Sequence, residues 1–503
     1  MHSFRGYTAP PEILDGLRRG EIASFCLFTY NFESLEQFRR LNESFYAAAA
    51  EGGFPPPLTG IDQEGGQLIP IRDGATLLPG NMALGATNSP ELARQAGNVL
   101  ARELLAVGCN LNFAPVLDLN NNPDNLAVGI RAFGDRPADV ARMGRALITG
   151  MQEIGVIATA KHFPGHGDTS TDSHFGVPVV TKSLTDLLAT DLLPFQEAIN
   201  GGVEAVLTGH LLFPALDAEN VATVSPIILG SLLREQMGFD GLIITDAMDM
   251  HAVNRLGMRE SVRASLRAGI DLVLLAHLPE QLAMTQEMMS EENEASRQRI
   301  ARARTRTPRE LPSLHVIGSA EHRAVAQAIA DASITRVRDS GVLPLRPGED
   351  TQIAVITIRP TNITPADTSL GEKILLADAI RARHPRTVGL EIDYQAPASQ
   401  ISDTLNAASE ADIVIVGTNF ADQDASQAIL VNELHRRGKR PIVVSLRTPY
   451  DLRAFPQIET YLCAYSDRPV TTEAIARVLF GEIEARGVLP CTIPGSSTET
   501  VKA

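Results

Sequence analysis

In the first part of the chain, short apolar runs alternate with longer segments whose apolar residues recur at helical spacing. Helices are predicted at 89–108, where Ser89 is typical of an N-cap, and at 137–155. Strands separated by helices indicate a parallel sheet covered by helices. Together with a stub at 2–6, these units predict an α/β fold that begins with a (β/α)8 TIM-like barrel. The predicted strands are 21–28, 57–62, 110–119, 155–163, 203–210, 241–248 and 270–276.

The composition then changes to a charged, apolar-poor segment that ends in prolines. This change predicts a barrel domain at 1–290 and a helix end with a linker at 291–312. The remainder, 313–503, is predicted to be a C-terminal α/β sandwich domain with its own core. Its predicted strands are 352–358, 387–393, 412–418, 441–446 and 460–466.

Composition narrows the functional classes. Hydrophobic residues make up 44% and charged residues 21%, which is the balance of a soluble globular protein. The net charge of −16 disfavours nucleic-acid and anionic-membrane partners, because no basic excess attracts phosphate. The four cysteines form no CxxC pair, and no apolar leader follows a basic start. We therefore expect a cytoplasmic protein; its oligomeric state is left open.

Polar side chains cluster where the predicted barrel strands end. In a barrel of this kind the carboxyl ends of the strands converge on one face, which is where active sites lie. The recurrence of such residues at corresponding places therefore predicts a site. They are Asp62, Asp118, His162, His210 and Asp246.

The segment KHFPGHGDTSTDSH, residues 161–174, is the richest in titratable groups. Asp172 and His174 lie two residues apart, so their side chains share a side in an extended stretch. A carboxylate beside an imidazole fixes its tautomer and favours its protonated form, as a general acid requires. The alternative is a rigid polar loop whose His and Asp side chains satisfy one another.

A metal site is a second alternative for this loop, and it would make the protein a metallohydrolase. The spacing matches neither HExxH nor a closed structural pattern, and no cysteine takes part. We therefore predict no metal and no organic cofactor. The side chains that could serve as ligands are His162, His166, Asp168, Asp172 and His174.

Asp246 ends the apolar run GLIITD, so its carboxylate is expected at the mouth of the barrel as a candidate nucleophile. Asp249, three residues later, is expected to be solvated or to begin a helix. Asp62 is followed by Glu64 and two glycines, which let a substrate approach the backbone. Carboxylates of this kind suit the hydroxyl groups of a sugar. No phosphate-binding glycine loop is present.

The motifs IDQEGG, NFAPVLDLN, RAFGD, KHFPGHGDTSTDSH and ITDAMDM resemble, in order and spacing, those of family 3 glycoside hydrolases. More narrowly, they are similar to the bacterial β-N-acetylglucosaminidase branch used in cell-wall recycling. SLRTPYDL and FGEIEARGVLPCTIPG resemble the sandwich domain of two-domain members. The resemblance covers nearly the whole chain.

This resemblance implies a role for each matching residue. Gln67 and Pro70 stand where many members of the branch carry arginines, which affects part of the substrate grip. The opening barrel strand is also shortened. The implied catalytic residues are the nucleophile Asp246, the acid/base His174 and its dyad partner Asp172, and the implied sugar-binding residues are Asp62, Arg131, Lys161 and His162.

The hypothesis that follows is a retaining exo-β-N-acetylglucosaminidase that acts through a covalent glycosyl-enzyme. Its partner would be a small carbohydrate, either a GlcNAc-containing glycoside or a muropeptide-like sugar. A phosphorylase remains open, because a neutral histidine does not repel phosphate, and a β-glucosidase on the same scaffold remains open too. A non-catalytic sugar-binding protein is the alternative from another class.

Overall fold

The computed structural model describes residues 1–169, 176–253, 257–276, 280–288, 291, 293–307, 310–370 and 372–495. The first part of the chain contains six parallel strands in sequence order. These strands are β1 Ser24–Cys26, β2 Leu58–Ile61, β3 Leu111–Asn112, β4 Ile157–Phe163, β5 Ala205–Thr208 and β6 Leu242–Thr245. The α-helices of this part are α1 Pro11–Arg18, α2 Leu35–Glu51, α3 Asn81–Thr87, α4 Pro90–Ala106, α5 Pro137–Ile154, α6 Leu184–Ala189, α7 Leu192–Asn200, α8 Met258–Ala268, α9 Gln281–Met288 and α10 Glu294–Arg304.

Two short segments complete the ring of eight. His2 forms a parallel bridge with Phe25 of β1, and Leu272 forms one with Ile244 of β6. The ring closes because the amide of Leu275 donates to the carbonyl of Met1 at 3.1 Å. The TIM-like barrel is thus confirmed, and the stub predicted at 2–6 takes its opening position.

Two predicted strands are much shorter than the sequence indicates. The run 110–119 is paired regularly only in β3, with a further isolated bridge between Val116 and Lys161. Pro115 interrupts the run, because proline has no amide hydrogen to donate to the ladder. The run 270–276 forms no regular strand: it has one isolated bridge, at Leu272, beside the hydrogen bond from Leu275 that closes the ring. An apolar run indicates burial, and these residues are buried, but burial does not require regular pairing.

The predicted helix 89–108 illustrates how local sequence sets an element. The side chain of Ser89 accepts from the amide of Leu92, and Pro90 occupies the first helical position. Gly108 follows the helix with a φ of +87°, a conformation that favours glycine. One face of α4 packs on α5 and closes the outside of the barrel.

The second domain is a six-stranded sheet in the order β7-β12-β11-β10-β8-β9, parallel except for β7. The five strands predicted from apolar runs are present, and β7 is added because it pairs as an edge strand without an apolar run of its own. Within the described residues, no helix is long and apolar enough to cross a bilayer. The elements are α11 Ala320–Ser333, β7 Thr335–Arg338, β8 Ile353–Ile358, α12 Leu376–Arg381, β9 Thr387–Ile392, α13 Ala398–Ser409, β10 Ile413–Thr418, α14 Ala425–Arg436, β11 Ile442–Ser445, β12 Thr460–Cys463 and α15 Pro469–Leu479.

The two domains meet through buried polar contacts. Glu103 on α4 accepts hydrogen bonds from His322 of α11, at 2.8 Å, and from the amide of Gly318. Arg468 at the start of α15 donates to the carbonyl of Gly66, at 2.7 and 2.9 Å. These contacts hold the second domain against α4 and against the barrel loop that follows β2.

Candidate active site

A cavity of about 430 Å³ opens at the carboxyl ends of the barrel strands. Asp62, Lys161, His162 and Asp246 all line it, and Arg131 joins them from a short 3₁₀ turn at Gly129–Arg131. The structure therefore brings together each predicted sugar-binding residue and the candidate nucleophile. They converge because parallel strands in a closed ring deliver their following residues to one face.

A buried ion-pair network underlies this cavity. The Nζ atom of Lys161 lies 2.6 Å from Asp62 and 2.6 Å from Glu64. The guanidinium of Arg131 donates one hydrogen bond to each carboxylate oxygen of Glu64, at 2.7 and 2.9 Å. Burial would raise the pKa of Glu64, but the two cations outweigh it and lower that pKa from 4.5 to about 2. Glu64 therefore provides the counter-charge that holds Lys161 and Arg131 at the cavity.

We expect Glu64→Gln to destabilise the protein by about 3–5 kcal/mol at neutral pH, since two buried cations lose their shared counter-charge. The folded-state pKa of Glu64 lies below its ordinary 4.5, so its contribution is present above that pH and is lost as pH falls toward 2. The difference in the free energy of unfolding between wild type and variant should therefore shrink as the pH falls from 4.5 toward 2. Urea unfolding at several pH values measures it.

The matched control is Glu51→Gln. Glu51 pairs with Arg18 at 2.6 Å, but 58% of its side chain is exposed. Such an exposed pair contributes little to the free energy of unfolding, because water and salt screen it. If both variants lost equally little stability, Glu64 would not be an essential counter-charge.

Asp118 lies on the side of His162 that faces away from the cavity and orients its ring. Its carboxylate lies 2.7 Å from Nδ1 of His162 and also accepts the amide of His166 at 2.7 Å. Burial would raise the pKa of Asp118, but His162 and the hydrogen bonds lower it below its ordinary value. Asp118 is fully covered, so of this pair only His162 reaches the cavity. The strand-end residue Asp118 thus supports the site without lining it.

Asp246 lies at the end of β6 in the cavity wall. Its amide donates to the carbonyl of Thr208, and its Oδ1 accepts the amide of Ala247 at 2.8 Å. Desolvation would raise the pKa of Asp246, but the charges of His162, His210 and Lys161 and the Ala247 amide hold it below its ordinary value. A carboxylate that stays ionised is the form a nucleophile requires.

His210 is placed differently from the other strand-end residues. It is buried, with Nδ1 2.7 Å from the hydroxyl of Thr223 and Nε2 3.0 Å from the carbonyl of Ala247. Among the described residues it does not line the cavity. Its position fixes the backbone directly after Asp246, which is a supporting role that the strand-end pattern does not reveal.

The predicted dyad residues Asp172 and His174 lie outside the described residues. The start of their loop is described and is anchored by several contacts. Asn125 donates to the carbonyl of His166 at 2.9 Å. Lys182 lies 2.7 Å from Asp191 and 3.5 Å from Asp168. Among the described residues, no three His, Cys, Asp or Glu side chains are grouped so as to hold a metal ion.

The second domain supplies part of the cavity wall, which the sequence did not predict. Pro365, Ala366 and Thr368 line the cavity from the loop between β8 and α12. Gln67 holds this loop: its side chain donates to the carbonyl of Ala366 at 2.9 Å and accepts from Arg447 at 3.1 Å. Gln67, which stands where many members of the branch carry an arginine, therefore joins the two domains.

Comparison with known proteins agrees with this geometry. Residues 10–309 match the model for the glycosyl hydrolase family 3 N terminal domain, and 338–503 match that for its C-terminal domain. Beta-hexosaminidase A of Pseudoalteromonas piscicida is 30% identical over 97% of this chain and 92% of its own. A beta-hexosaminidase of Thiobacillus denitrificans is 39% identical over 52% of this chain and 72% of its own.

A solved structure extends the likeness to three dimensions. The family 3 beta-N-acetylglucosaminidase from Paenibacillus sp. str. FPU-7 superimposes with a TM-score of 0.91. It is 32% identical to this chain, and the match covers 97% of this chain and 96% of the other. Both domains and their arrangement are therefore shared.

Proposed function

Because this chain belongs to glycosyl hydrolase family 3, we propose that it is an exo-acting β-N-acetylglucosaminidase that works with retention of configuration. The observation that carries the proposal is an ionised Asp246 in the wall of a cavity that also holds Asp62, Arg131, Lys161 and His162. Its relatives' names and the Paenibacillus enzyme support the substrate. The cytoplasmic location and a part in cell-wall recycling stay predictions.

In this mechanism Asp246 attacks the anomeric carbon of a terminal N-acetylglucosamine while the bond to the leaving oxygen breaks. His174, charged and oriented by Asp172, donates a proton to that oxygen. The product of this step is a glycosyl ester of Asp246. His174 then takes a proton from water, whose oxygen attacks the anomeric carbon and releases Asp246.

The buried ion-pair network and His162 would hold the sugar during both steps. Asp62, with 28% of its side chain exposed, presents an acceptor to the sugar hydroxyls. His162 presents its second ring nitrogen, because Asp118 occupies Nδ1. A cavity that a second-domain loop borders on one side suits the end of a glycan, which supports exo action over attack within a chain.

We expect nitrophenyl β-N-acetylglucosaminide to be hydrolysed with a higher kcat/KM than nitrophenyl β-glucoside. The ratio should be at least about tenfold, since a site that satisfies an acetamido group loses binding energy when that group is absent. A reversed ratio would assign the chain to a β-glucosidase activity. Failure of both substrates would favour the non-catalytic sugar-binding alternative.

A further inference from the structure

The barrel loop that follows β2 carries two carboxylates of the site beside a pair of glycines. Asp62 lines the cavity, and Glu64 provides the counter-charge for its cations. Gly65 and Gly66 come directly afterwards, with φ of +84° and +63°. Glycine adopts many backbone conformations at similar cost, so contacts with other segments must fix the path of this loop. The positions of the two carboxylates therefore depend on what holds the glycine pair.

The barrel holds this loop from one side. The Oδ1 atom of Asn112 accepts the amide of Gln63 at 3.0 Å, and its Nδ2 atom donates to the carbonyl of Gln63 at 2.9 Å. The amide of Gly66 donates to the carbonyl of Leu78 at 3.0 Å. The carbonyl of Gly66, in contrast, is bound by the second domain.

Arg468 is the second-domain residue that binds this carbonyl. Its Nε and Nη2 atoms donate to the carbonyl oxygen of Gly66 at 2.9 and 2.7 Å, across 402 residues of sequence. The side chain is only 2% exposed, and the carboxylates of Asp467 and Glu372 lie farther from it, at 3.9 and 4.0 Å. Desolvation offsets much of what a buried charge gains from its partners, so such a residue is a poor source of net stability. The planar guanidinium, with two hydrogen bonds to one oxygen, is well suited to fix where that oxygen lies.

The second domain also holds the next residue of the loop, Gln67. Arg447, which is 1% exposed, donates to the side-chain oxygen of Gln67 at 3.1 Å. The amide and the hydroxyl of Thr368 each donate to the carbonyl of Gln67 at 2.9 Å. The loop is thus held by the barrel at Gln63 and by the second domain at Gly66 and Gln67.

We propose that Arg468 is a positioning residue for sugar binding, although it is not among the described residues that line the cavity. By holding the carbonyl of Gly66, it keeps the preceding Asp62 and Glu64 in place. Both carboxylates lie 2.6 Å from the Nζ atom of Lys161. The affinity for the terminal sugar therefore depends on a side chain of the second domain. This inference rests on the proposed β-N-acetylglucosaminidase function and gives the second domain a part in it.

The experiment measures, in the full-length protein, the Kd of N-acetylglucosamine by calorimetry and kcat with nitrophenyl β-N-acetylglucosaminide. Arg468→Met removes both hydrogen bonds and keeps an unbranched side chain. We expect its Kd to rise by about tenfold, within the roughly 100-fold that a 1 Å misplacement of a positioned group can cost. Its kcat should fall by about threefold or less, because contacts made equally with the bound sugar and with the transition state affect binding alone.

Arg468→Lys should raise the Kd by only about threefold, since an ammonium group can still donate to the carbonyl of Gly66 but lacks the fork of the guanidinium. The control is His322→Ala, which removes a buried hydrogen bond between the domains at Glu103 of α4. Glu103 keeps the hydrogen bond from the amide of Gly318. The midpoint of urea unfolding of this control should fall, while its Kd and kcat stay at the wild-type values.

An unchanged Kd in every Arg468 variant that folds would overturn the inference, and so would a loss confined to kcat. An equal rise of Kd in His322→Ala would overturn it too, because the effect would then come from domain contact in general. In each case, binding and hydrolysis by the wild type would leave the proposed function standing. A wild type that neither binds N-acetylglucosamine nor hydrolyses the nitrophenyl substrate would reject the proposed function itself.

Discussion

Replacing Asp246 by alanine is expected to lower kcat by about 10⁴-fold or more, since loss of a covalent nucleophile costs on the order of 10⁶-fold in serine proteases. The carboxylate lies in the cavity wall with Oδ1 on the amide of Ala247. Without it, no group forms the glycosyl ester, and the reaction loses its two-step path. Steady-state kinetics with nitrophenyl β-N-acetylglucosaminide measures the loss.

Asp246→Asn provides a nearly isosteric comparison. Its amide oxygen can still accept from Ala247, so the protein should fold and bind while remaining inactive. In the wild type, a fluorinated N-acetylglucosaminide analogue that slows hydrolysis of the ester should label a peptide containing Asp246, as seen by mass spectrometry. Retention of more than a few per cent of wild-type kcat by either variant would show that another residue is the nucleophile.

The second large effect is expected for His174→Ala. His174 is proposed to protonate the leaving oxygen, so the loss should depend on how poor the leaving group is. The aglycone of a natural glycoside leaves as an alkoxide, so the glycosylation rate for such substrates should fall by about 10²–10⁴-fold, the usual contribution of general acid catalysis. The dinitrophenolate of an activated aryl glycoside leaves without protonation, so the rate for that substrate should fall much less. Asp172→Ala should follow the same trend more weakly, because it only orients and charges the ring.

The measurement is the glycosylation rate plotted against the pKa of the leaving group for wild type and His174→Ala. The variant should show the steeper dependence. Equal slopes would mean that another group supplies the proton. The next candidate would then be Asp168, whose carboxylate lies 3.5 Å from Lys182 at the start of the same loop.

Several features of this protein could be predicted from the sequence because they depend on local pattern. The side chain of Ser89 caps α4, and the short apolar runs mark most of the strands. Parallel strands in a ring present their following residues on one face, so Asp62, His162 and Asp246 could be assigned to one cavity from their positions alone. The resemblance added their roles, which stay proposals.

Other features arise from contacts between residues distant in the chain, and only the tertiary structure decides them. The side chain of Gln67 and the carbonyl of Ala366 are 299 residues apart in sequence, yet they are hydrogen-bonded at the edge of the cavity. The counter-charge role of Glu64 depends equally on Arg131, which lies 67 residues away. A local pattern carries no information on such pairs. It indicated which residues would face the barrel mouth; contacts between barrel loops determined which of them are neutralised, and a loop of the second domain completed the cavity wall.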